Sequence, residues 1–243
     1  MEAQPKTALI TGASRGLGLA LARALADAGW SLIIDGRGAE ALSRVETELC
    51  SQTLVWALAG DVRDPAHWRW LASAAGRAGG LDVVVNNASM LGPSPQPELL
   101  DYPLDVLQQV FSTNVIAPLG ILQAVRHQLK TGAAIINVTS DAGVEAYSGW
   151  GGYGASKAAL EQLSAVLAEE NPKLRIYWVD PGDMNTQMHQ EAFPGEDISD
   201  RPAPDAIVPG LLALIDGQFA SGRYQAGDLV PEPVGKKFRS SLS

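Results

Sequence analysis

The chain has 243 residues, of which 46% are hydrophobic, and its 18 basic and 27 acidic side chains give a formal net charge of −9. This length allows a full core in one or two domains, while the acidity argues against nucleic acid as a partner, because the chain would repel phosphate backbones. No apolar run reaches the ~18 residues of a membrane span and residues 1–6 do not resemble a signal peptide, so no membrane partner is expected. The single cysteine, Cys50, excludes an intrachain disulfide, lacks a Cys/His metal cluster around it and favours a cytoplasmic setting.

Short apolar runs alternate with amphipathic segments in the first half of the chain. Buried strands are predicted over Lys6–Thr11, Ser31–Asp35, Thr53–Ala59 and Leu81–Val85. Helices are predicted over Ser14–Ala28, over Ala39–Cys50 and from Asp64 onward, where Pro65 takes a favoured first-turn position.

The second half continues this alternation with a longer helix. Helices are predicted from Pro103 or Leu104 to Gln128, with a kink at Pro118, and over Tyr153–Glu169 and Val208–Asp216. Strands are predicted over Ala134–Thr139, Arg175–Val179 and Gly222–Ala226. Residues 183–205 are polar and rich in Pro, Gly and Asp, which predicts a loop or lid, and Pro231–Ser243 has no periodicity.

Apolar strands that alternate with helices predict an α/β fold, a Rossmann-type doubly wound parallel sheet of about seven strands with helices on both faces. We find no repeat and no linker, so a single domain over residues 1–243 is expected. Such a sheet binds ligands outside the carboxyl ends of its strands. Functional residues are therefore expected after Thr11, Asp35, Ala59, Val85, Thr139 and Val179.

A glycine-rich loop, Thr11-Gly12-Ala13-Ser14-Arg15-Gly16-Leu17-Gly18, follows the first strand. Gly12 permits a tight turn, Gly16 lets the backbone approach a phosphate, and Gly18 lets the helix pack close to the sheet. The helix N-terminus adds free N–H groups and a positive dipole end. We interpret the loop as a nucleotide-phosphate site, although its glycines alone also suit an ordinary strand–helix turn.

Tyr153 and Lys157 lie four residues apart, on one face of their predicted helix. A nearby ammonium lowers the pKa of tyrosine from about 10, towards values useful for acid–base catalysis. Alone, such a pair also suits an exposed helix without function. Ser140 follows a strand at the same sheet edge and could hold a substrate oxygen. Its neighbours Thr139 and Asp141 are alternatives for that role.

The spacing Thr-Gly-x-x-x-Gly-x-Gly resembles the short-chain dehydrogenase/reductase family. The likeness runs from about residue 6 to about residue 186, through Asn86-Asn87-Ala88, Asn114, Ser140, Tyr153, Lys157 and Pro181-Gly182. It implies four catalytic residues, Asn114, Ser140, Tyr153 and Lys157, with Ser140 selected over its neighbours. It also implies that Asn114 reaches Lys157 through water, that Lys157 binds the nicotinamide ribose, and that Tyr153 transfers the proton.

The segment Asp35-Gly36-Arg37, at the end of the second strand, bears on the choice of nicotinamide cofactor. An acid here binds the ribose 2′-OH of NAD, whereas an Arg pairs with the 2′-phosphate of NADP. By the family pattern the NAD-selecting position is Gly36, so that alternation turns Asp35 away, and Arg37 aligns with the phosphate-binding position. Arg15 adds a second cation. We predict NADP(H), with NAD(H) as the alternative.

The same resemblance implies further cofactor contacts. Asp61, beside Val62, accepts from the adenine amino group. Asn87 supports the adenosine side, and Thr186 holds the carboxamide. Each of these could instead be an ordinary polar turn residue. The whole predicted cofactor set is Gly12, Ser14, Arg15, Gly16, Leu17, Gly18, Arg37, Asp61, Val62, Asn87, Ala88, Tyr153, Lys157, Pro181, Gly182 and Thr186.

Together these residues predict an NADP(H)-dependent oxidoreductase that interconverts a carbonyl and a secondary alcohol on a small molecule. A catalytically silent nucleotide-binding regulator, and a lyase or epimerase with the same Tyr–Lys site, are the alternatives. Candidates for the substrate pocket are Met90, Leu91, Tyr147, Trp150, Met184 and His189. The resemblance also implies that the helices carrying Asn114 and Tyr153 pair with a second subunit, in a homodimer or homotetramer.

Overall fold

Seven parallel strands form one sheet in the part of the chain that the computed structural model describes, residues 5–217 and 219–230. They are β1 (Thr7–Ile10), β2 (Ser31–Gly36), β3 (Val55–Ala59), β4 (Leu81–Asn86), β5 (Leu129–Val138), β6 (Arg175–Asp180) and β7 (Gly222–Gln225). Their order is β3-β2-β1-β4-β5-β6-β7. The predicted Rossmann-type α/β fold is therefore confirmed. The aperiodic tail Pro231–Ser243 lies outside the described residues.

Helices connect these strands and cover both faces of the sheet. They are α1 (Gly16–Asp27), α2 (Ala39–Leu49), α3 (Pro65–Arg77), α4 (Leu104–Phe111), α5 (Ala117–Val125), α6 (Gly151–Glu170), α7 (Gln187–Ala192) and α8 (Val208–Asp216). Asp64 caps α3 by accepting the N–H of Ala66 at 2.8 Å, and Pro65 occupies the first turn as predicted from the sequence.

Strand residues pack alternately against two helical layers. In β1, Ala8 and Ile10 contribute to the core that includes α1 and α8, whereas Leu9 contributes to the core that includes α3 and α5. Because both faces of the central strands are covered, their sequences are continuously apolar. The strand order reverses between β1 and β4, and this is where a doubly wound sheet opens a cleft at its carboxyl edge.

The prediction of one continuous helix over Leu104–Gln128 is wrong. A π-helical turn over Ser112–Ile116 separates α4 from α5, and α5 ends at Val125. Pro118 lies in the first turn of α5, where its missing N–H is not needed, so the irregularity is the π turn and not a proline kink. Asn114 is the central residue of this turn.

Two other segments differ from their predicted bounds. β5 begins at Leu129, ahead of the predicted Ala134. The sequence does not indicate this earlier start, because the first four residues of the strand are exposed or half-buried and lack an apolar pattern. The segment predicted as a loop at 183–205 contains α7 and part of a 3₁₀ turn at Pro204–Ala206. Thr186 caps α7 by accepting the N–H of His189.

Candidate active site

The glycine loop between β1 and α1 leaves no room for side chains at two of its positions. Gly12 has φ +67°, and a Cβ there would lie 2.9 Å from the Cα of Ala88. A Cβ on Gly18 would lie 2.5 Å from the carbonyl oxygen of Gly12. Gly16 has φ +57° but faces open space, with only Thr186 nearby. The loop is thus a backbone cradle that ends at a helix N-terminus, and it fits a pyrophosphate.

Thr11 and Asn87 fasten this loop to the end of β4. The Thr11 hydroxyl accepts the N–H groups of Asn87 and Ala88, both at 3.0 Å, and donates to the carbonyl of Val85. The Asn87 amide donates to the carbonyls of Thr11 and Gly12 at 2.9 and 3.2 Å. Asn87 and Ala88 therefore hold the start of the glycine loop in place against the end of β4.

Asp35 is buried beneath the loop. Its carboxylate accepts the Gly12 N–H at 2.7 Å and contacts Nε2 of His67 at 2.9 Å, and both acidic and imidazole side chains are 1% exposed. Asp35, Gly36 and Arg37 all line the cleft, but only Arg37 of the three is exposed. No local sequence pattern indicates the contact between Asp35 and His67, because the two residues lie on β2 and α3.

Four arginines line the outer part of the cleft, and one of them, Arg23, is paired with Glu48. Arg37 and Arg15 are exposed there, and Arg15 donates to the side chain of Gln187 on α7. Arg63, which sequence reasoning missed, donates to both oxygens of Asp61 at 2.6 to 3.1 Å. These hydrogen bonds, helped by the charge of Arg37, lower the pKa of Asp61. The Asp61 carboxylate is therefore paired with the Arg63 guanidinium and acts as a hydrogen-bond acceptor.

A cleft of about 840 Å³ opens at the carboxyl edge of the sheet and is lined by these arginines, by the glycine loop and by residues of α7. Most of the predicted site residues line it: Gly12, Ser14, Arg15, Gly16, Leu17, Arg37, Asp61, Val62, Asn87, Ala88, Ser140, Tyr153, Lys157, Pro181, Gly182 and Thr186. Gly18 and Asn114 lie behind the lining. Of the substrate-pocket candidates, Met90, Leu91, Trp150, Met184 and His189 line the cleft, whereas Tyr147 lines a neighbouring groove that shares Trp150.

Tyr153 and Lys157 lie on the first half of α6 and face the inner end of the cleft. Tyr153 is 8% exposed and Lys157 is 2% exposed. The Lys157 ammonium lies 5.3 Å from the centre of the Tyr153 ring and donates to the carbonyl of Val138 at 2.8 Å. Ser140, just beyond β5, donates its hydroxyl to Asp141 at 2.8 Å.

Asn114 joins the segment after β4 to α6. Its side-chain oxygen accepts the N–H of Met90 at 2.8 Å and the hydroxyl of Ser89 at 3.1 Å. Its amide donates to the carbonyl of Met90 and to the hydroxyl of Ser156, each at 2.9 Å. Asn114, placed by the π turn, thus holds the Ser89–Met90 segment against Ser156 on α6. None of these four bonds is made to Lys157, which the family resemblance connects to Asn114 through water.

Burial dominates the protonation of the Tyr–Lys pair. Desolvation raises the pKa of Tyr153 well above 10, and the charges of Asp180 and Asp141 add to this, while the neighbouring hydroxyls of Ser89 and Ser140 oppose it. The expected lowering of the Tyr153 pKa is therefore wrong for the protein alone. Desolvation also lowers the pKa of Lys157 to about 8, against the opposing charge of Glu161.

A charged cluster that sequence reasoning missed lies behind Ser140. Arg223 on β7 pairs with Glu161 on α6 at 3.1 Å and approaches Asp180, at the end of β6, at 3.6 Å. Glu161 also accepts the hydroxyl of Thr139 at 2.7 Å. Burial raises the pKa of Asp180. The cluster therefore ties β7, α6 and the end of β6 together behind Ser140.

Aromatic and apolar side chains surround Tyr153 at the inner end of the cleft. The Trp150 ring packs edge-on against Tyr153 with centroids 5.9 Å apart, and against Phe193 at 5.7 Å. Phe193 in turn contacts His189 at 4.9 Å. Met188 packs on the small apolar cluster that includes Tyr153. The segment around α7 therefore covers the site.

No helix within residues 5–217 and 219–230 is both long and apolar enough to cross a membrane. The same residues contain no group of three or more His, Cys, Asp or Glu side chains suited to a metal ion. Cys50 is exposed and carries a free thiol.

Comparison with known proteins identifies the class. Residues 6–197 match the family model described as short chain dehydrogenase. The chain is 31% identical, over 245 aligned positions, to the rhamnolipids biosynthesis 3-oxoacyl-(acyl-carrier-protein) reductase of Pseudomonas aeruginosa, which covers 93% of this chain and 94% of that protein. The chain therefore belongs to the short-chain dehydrogenase/reductase family, whose members are oxidoreductases.

Two solved structures are similar over most of their length. A short chain dehydrogenase from Pseudomonas syringae has a TM-score of 0.86 at 31% identity, over 91% of this chain and 94% of that one. A short chain dehydrogenase from Shigella flexneri 2a, complexed with NADP, has a TM-score of 0.83 at 30% identity, over 91% and 96%.

Proposed function

We propose that the protein is an NADP(H)-dependent oxidoreductase that interconverts a carbonyl and a secondary alcohol on a small molecule. The observation that carries this proposal is the convergence of Tyr153, Lys157 and Ser140 on the inner end of a cleft whose outer end is a glycine cradle. Membership of the family supports the reaction class.

Tyr153 is proposed as the general acid and base. Its hydroxyl gives a proton to the substrate oxygen during carbonyl reduction and takes it back during alcohol oxidation. Ser140 turns its hydroxyl from Asp141 to that oxygen and holds it beside Tyr153. Lys157 places a positive charge next to the Tyr153 ring, which favours the charged form of the tyrosine. Asn114 is proposed to fix the segment that faces Tyr153.

The bound nicotinamide would supply or accept the hydride. The cradle of Gly12, Gly16 and Gly18 would hold its pyrophosphate, with Ser14 and Leu17 beside it, while Asp61, Val62, Asn87 and Ala88 would hold the adenosine side. Lys157, Tyr153, Pro181, Gly182 and Thr186 would hold the nicotinamide side.

NADP(H) is proposed over NAD(H) because of the charges at the outer end of the cleft. Arg15 and Arg37 offer two cations to a 2′-phosphate. The one acid at the end of β2, Asp35, also lines the cleft, but it is 1% exposed and its two carboxylate oxygens are committed to the Gly12 N–H and to His67. The NADP complex of the similar Shigella flexneri protein supports this choice.

Substitution of Tyr153 by phenylalanine tests the proposal. The wild-type protein is expected to oxidise NADPH with members of a panel of aldehydes and ketones, and Tyr153→Phe to lose at least 100-fold in kcat, roughly the contribution of a general acid. The variant keeps the ring, so its Kd for NADPH should stay near the wild-type value. Turnover of the variant at the wild-type rate would contradict the role of Tyr153.

The panel also separates the alternatives. A lyase or epimerase would convert substrate without net change in nicotinamide absorbance, and a silent regulator would bind NADPH without oxidising it.

Three wider features stay predictions. Ile116, on the π turn that carries Asn114, and Val166, on the helix α6 that carries Tyr153, are 54% and 43% exposed, and Leu104 on the adjoining α4 is 72% exposed. These exposed apolar side chains support a homodimer or homotetramer, which light scattering would identify. Residues 183–205 are proposed as the substrate loop of a single domain, because Met188 and Ala192 of α7 pack on the buried cluster that includes Tyr153. A cytoplasmic location rests on the sequence.

A further inference from the structure

We propose that the inner cleft selects carbonyl substrates that carry no negative charge next to the reacting carbonyl, and that Asp141 enforces this selection. The proposal rests on the proposed function, since it names the substrate class of the same site. Its basis is the balance of charges around Tyr153, together with the apolar wall that faces it.

Asp141 carries a charge without a cationic partner among the described residues. It is exposed and lines the cleft directly after Ser140. Its partners are neutral groups: the Ser140 hydroxyl at 2.8 Å, the Ala142 N–H at 2.8 Å and the Tyr147 hydroxyl at 3.1 Å. The charge of Asp141 adds, after burial and the charge of Asp180, to the causes that raise the pKa of Tyr153.

The cations near the inner cleft are committed elsewhere. Arg223 lies behind the edge and pairs with Glu161 and Asp180. Arg201 pairs with Asp200 at 2.7 Å and approaches Asp183 at 3.4 Å.

Lys157 is 2% exposed and donates to the Val138 carbonyl beside the Tyr153 ring, so its ammonium is buried and not open to a substrate anion. An anionic substrate group would therefore meet the charge of Asp141 without a free cation to pair with.

The remaining surface of the inner cleft is suited to an apolar body. Trp150 stands edge-on to Tyr153, and Met90, Leu91, Met184, Met188 and Ala192 also line the cleft there. Aromatic and thioether side chains bind flat apolar groups and offer no compensation for a carboxylate or sulfonate. The geometry therefore points to neutral aromatic or aliphatic aldehydes and ketones.

The size of the selection follows from Coulomb's law. Two like charges about 6 Å apart, at an effective dielectric constant of about 20, repel strongly enough to cost roughly 100-fold in binding or rate. Removal of the Asp141 charge should recover at least about tenfold of this discrimination, since solvent and salt screen part of it.

Ethyl benzoylformate and benzoylformate provide a matched pair of probes, because they share the ketone and ring but differ in charge. We would measure kcat/KM for both with NADPH, in the wild type and in Asp141→Asn. The amide keeps an oxygen for the Ser140 hydroxyl while it removes the charge. Asp216→Asn is the control, because it removes one charge from an exposed residue paired with Lys6 before β1.

The ester-to-acid ratio of kcat/KM is the readout, since intrinsic differences between the two ketones cancel when variants are compared. The ratio should fall about tenfold or more in Asp141→Asn and stay unchanged in Asp216→Asn. An equal ratio in all three proteins overturns the selection by Asp141 and leaves the reductase proposal standing.

Binding separates this inference from a failure of the proposed function. If the wild type oxidises NADPH with neither probe, calorimetry on the NADPH complex with benzamide and benzoate gives the second readout. Tighter binding of benzamide, with a preference that falls in Asp141→Asn, supports the charge selection even without turnover. Equal binding of the two ligands overturns it.

Discussion

Replacement of the buried Lys157 by methionine is expected to remove a pH-dependent part of the stability. Burial lowers the pKa of Lys157 from 10.5 to about 8. Between these values the unfolded chain keeps a proton that the folded protein has released. Stability of the wild type therefore rises with pH through this window, relative to a variant without the lysine, because the buried ammonium is costly below it.

The expected size of the effect follows from the linkage relation. From pH 7 to pH 9.5 the free energy of unfolding of the wild type should rise by about 2 kcal/mol relative to Lys157→Met. Urea unfolding followed by circular dichroism at the two pH values measures this difference. Lys173→Met, which replaces an exposed lysine, serves as the control and should follow the wild type.

A difference between wild type and Lys157→Met that does not change with pH would refute this reasoning. It would mean that Lys157 keeps an ordinary pKa although it is 2% exposed. The same proton matters for the proposed chemistry, since the ammonium beside Tyr153 is present at pH 7 and is lost as the pH rises through about 8.

Two further substitutions test the outer end of the cleft. Arg37→Ala should weaken NADPH binding by about tenfold or more and leave NADH binding almost unchanged, because only NADPH carries the 2′-phosphate. Fluorescence titration measures both, and an equal loss for the two cofactors would contradict the assignment. His67→Leu should lower the free energy of unfolding by about 1–3 kcal/mol, because the buried Asp35 loses a partner. An unchanged urea midpoint would contradict this.

The sheet could be predicted from the sequence because strands that are buried on both faces consist of continuous apolar runs. Every residue of β2 is buried, and its bounds were predicted to within one residue at the end, where Gly36 follows Asp35. The start of β5 has no such apolar run, since Thr131 and Gly132 are exposed. Apolar patterning therefore locates the core of each strand better than its ends.

The candidate site could be predicted only in part, for two physical reasons. The helical pattern continues through Ser112–Ile116, so nothing in the local sequence distinguishes a π turn from an α-helix. Partners such as Arg223 and Glu161 are brought together by the sheet and leave no signal in either segment. The direction of the Tyr153 pKa was mistaken because a pairwise argument with Lys157 omits desolvation.

Parallel register explains how distant segments build one reacting edge. Val138 on β5 is level with Val179 on β6, and Trp178 on β6 is level with Arg223 on β7. This alignment brings Asp180 to the level at which the chain leaves β5 towards Ser140, and Arg223, two residues further back, extends to within 3.6 Å of the Asp180 carboxylate. A slip of one residue in β7 would turn Arg223 to the opposite face of the sheet, and Glu161 and Asp180 would then share a buried site without their cation. The last strand is therefore part of the construction of the site, although it carries none of the four proposed catalytic residues.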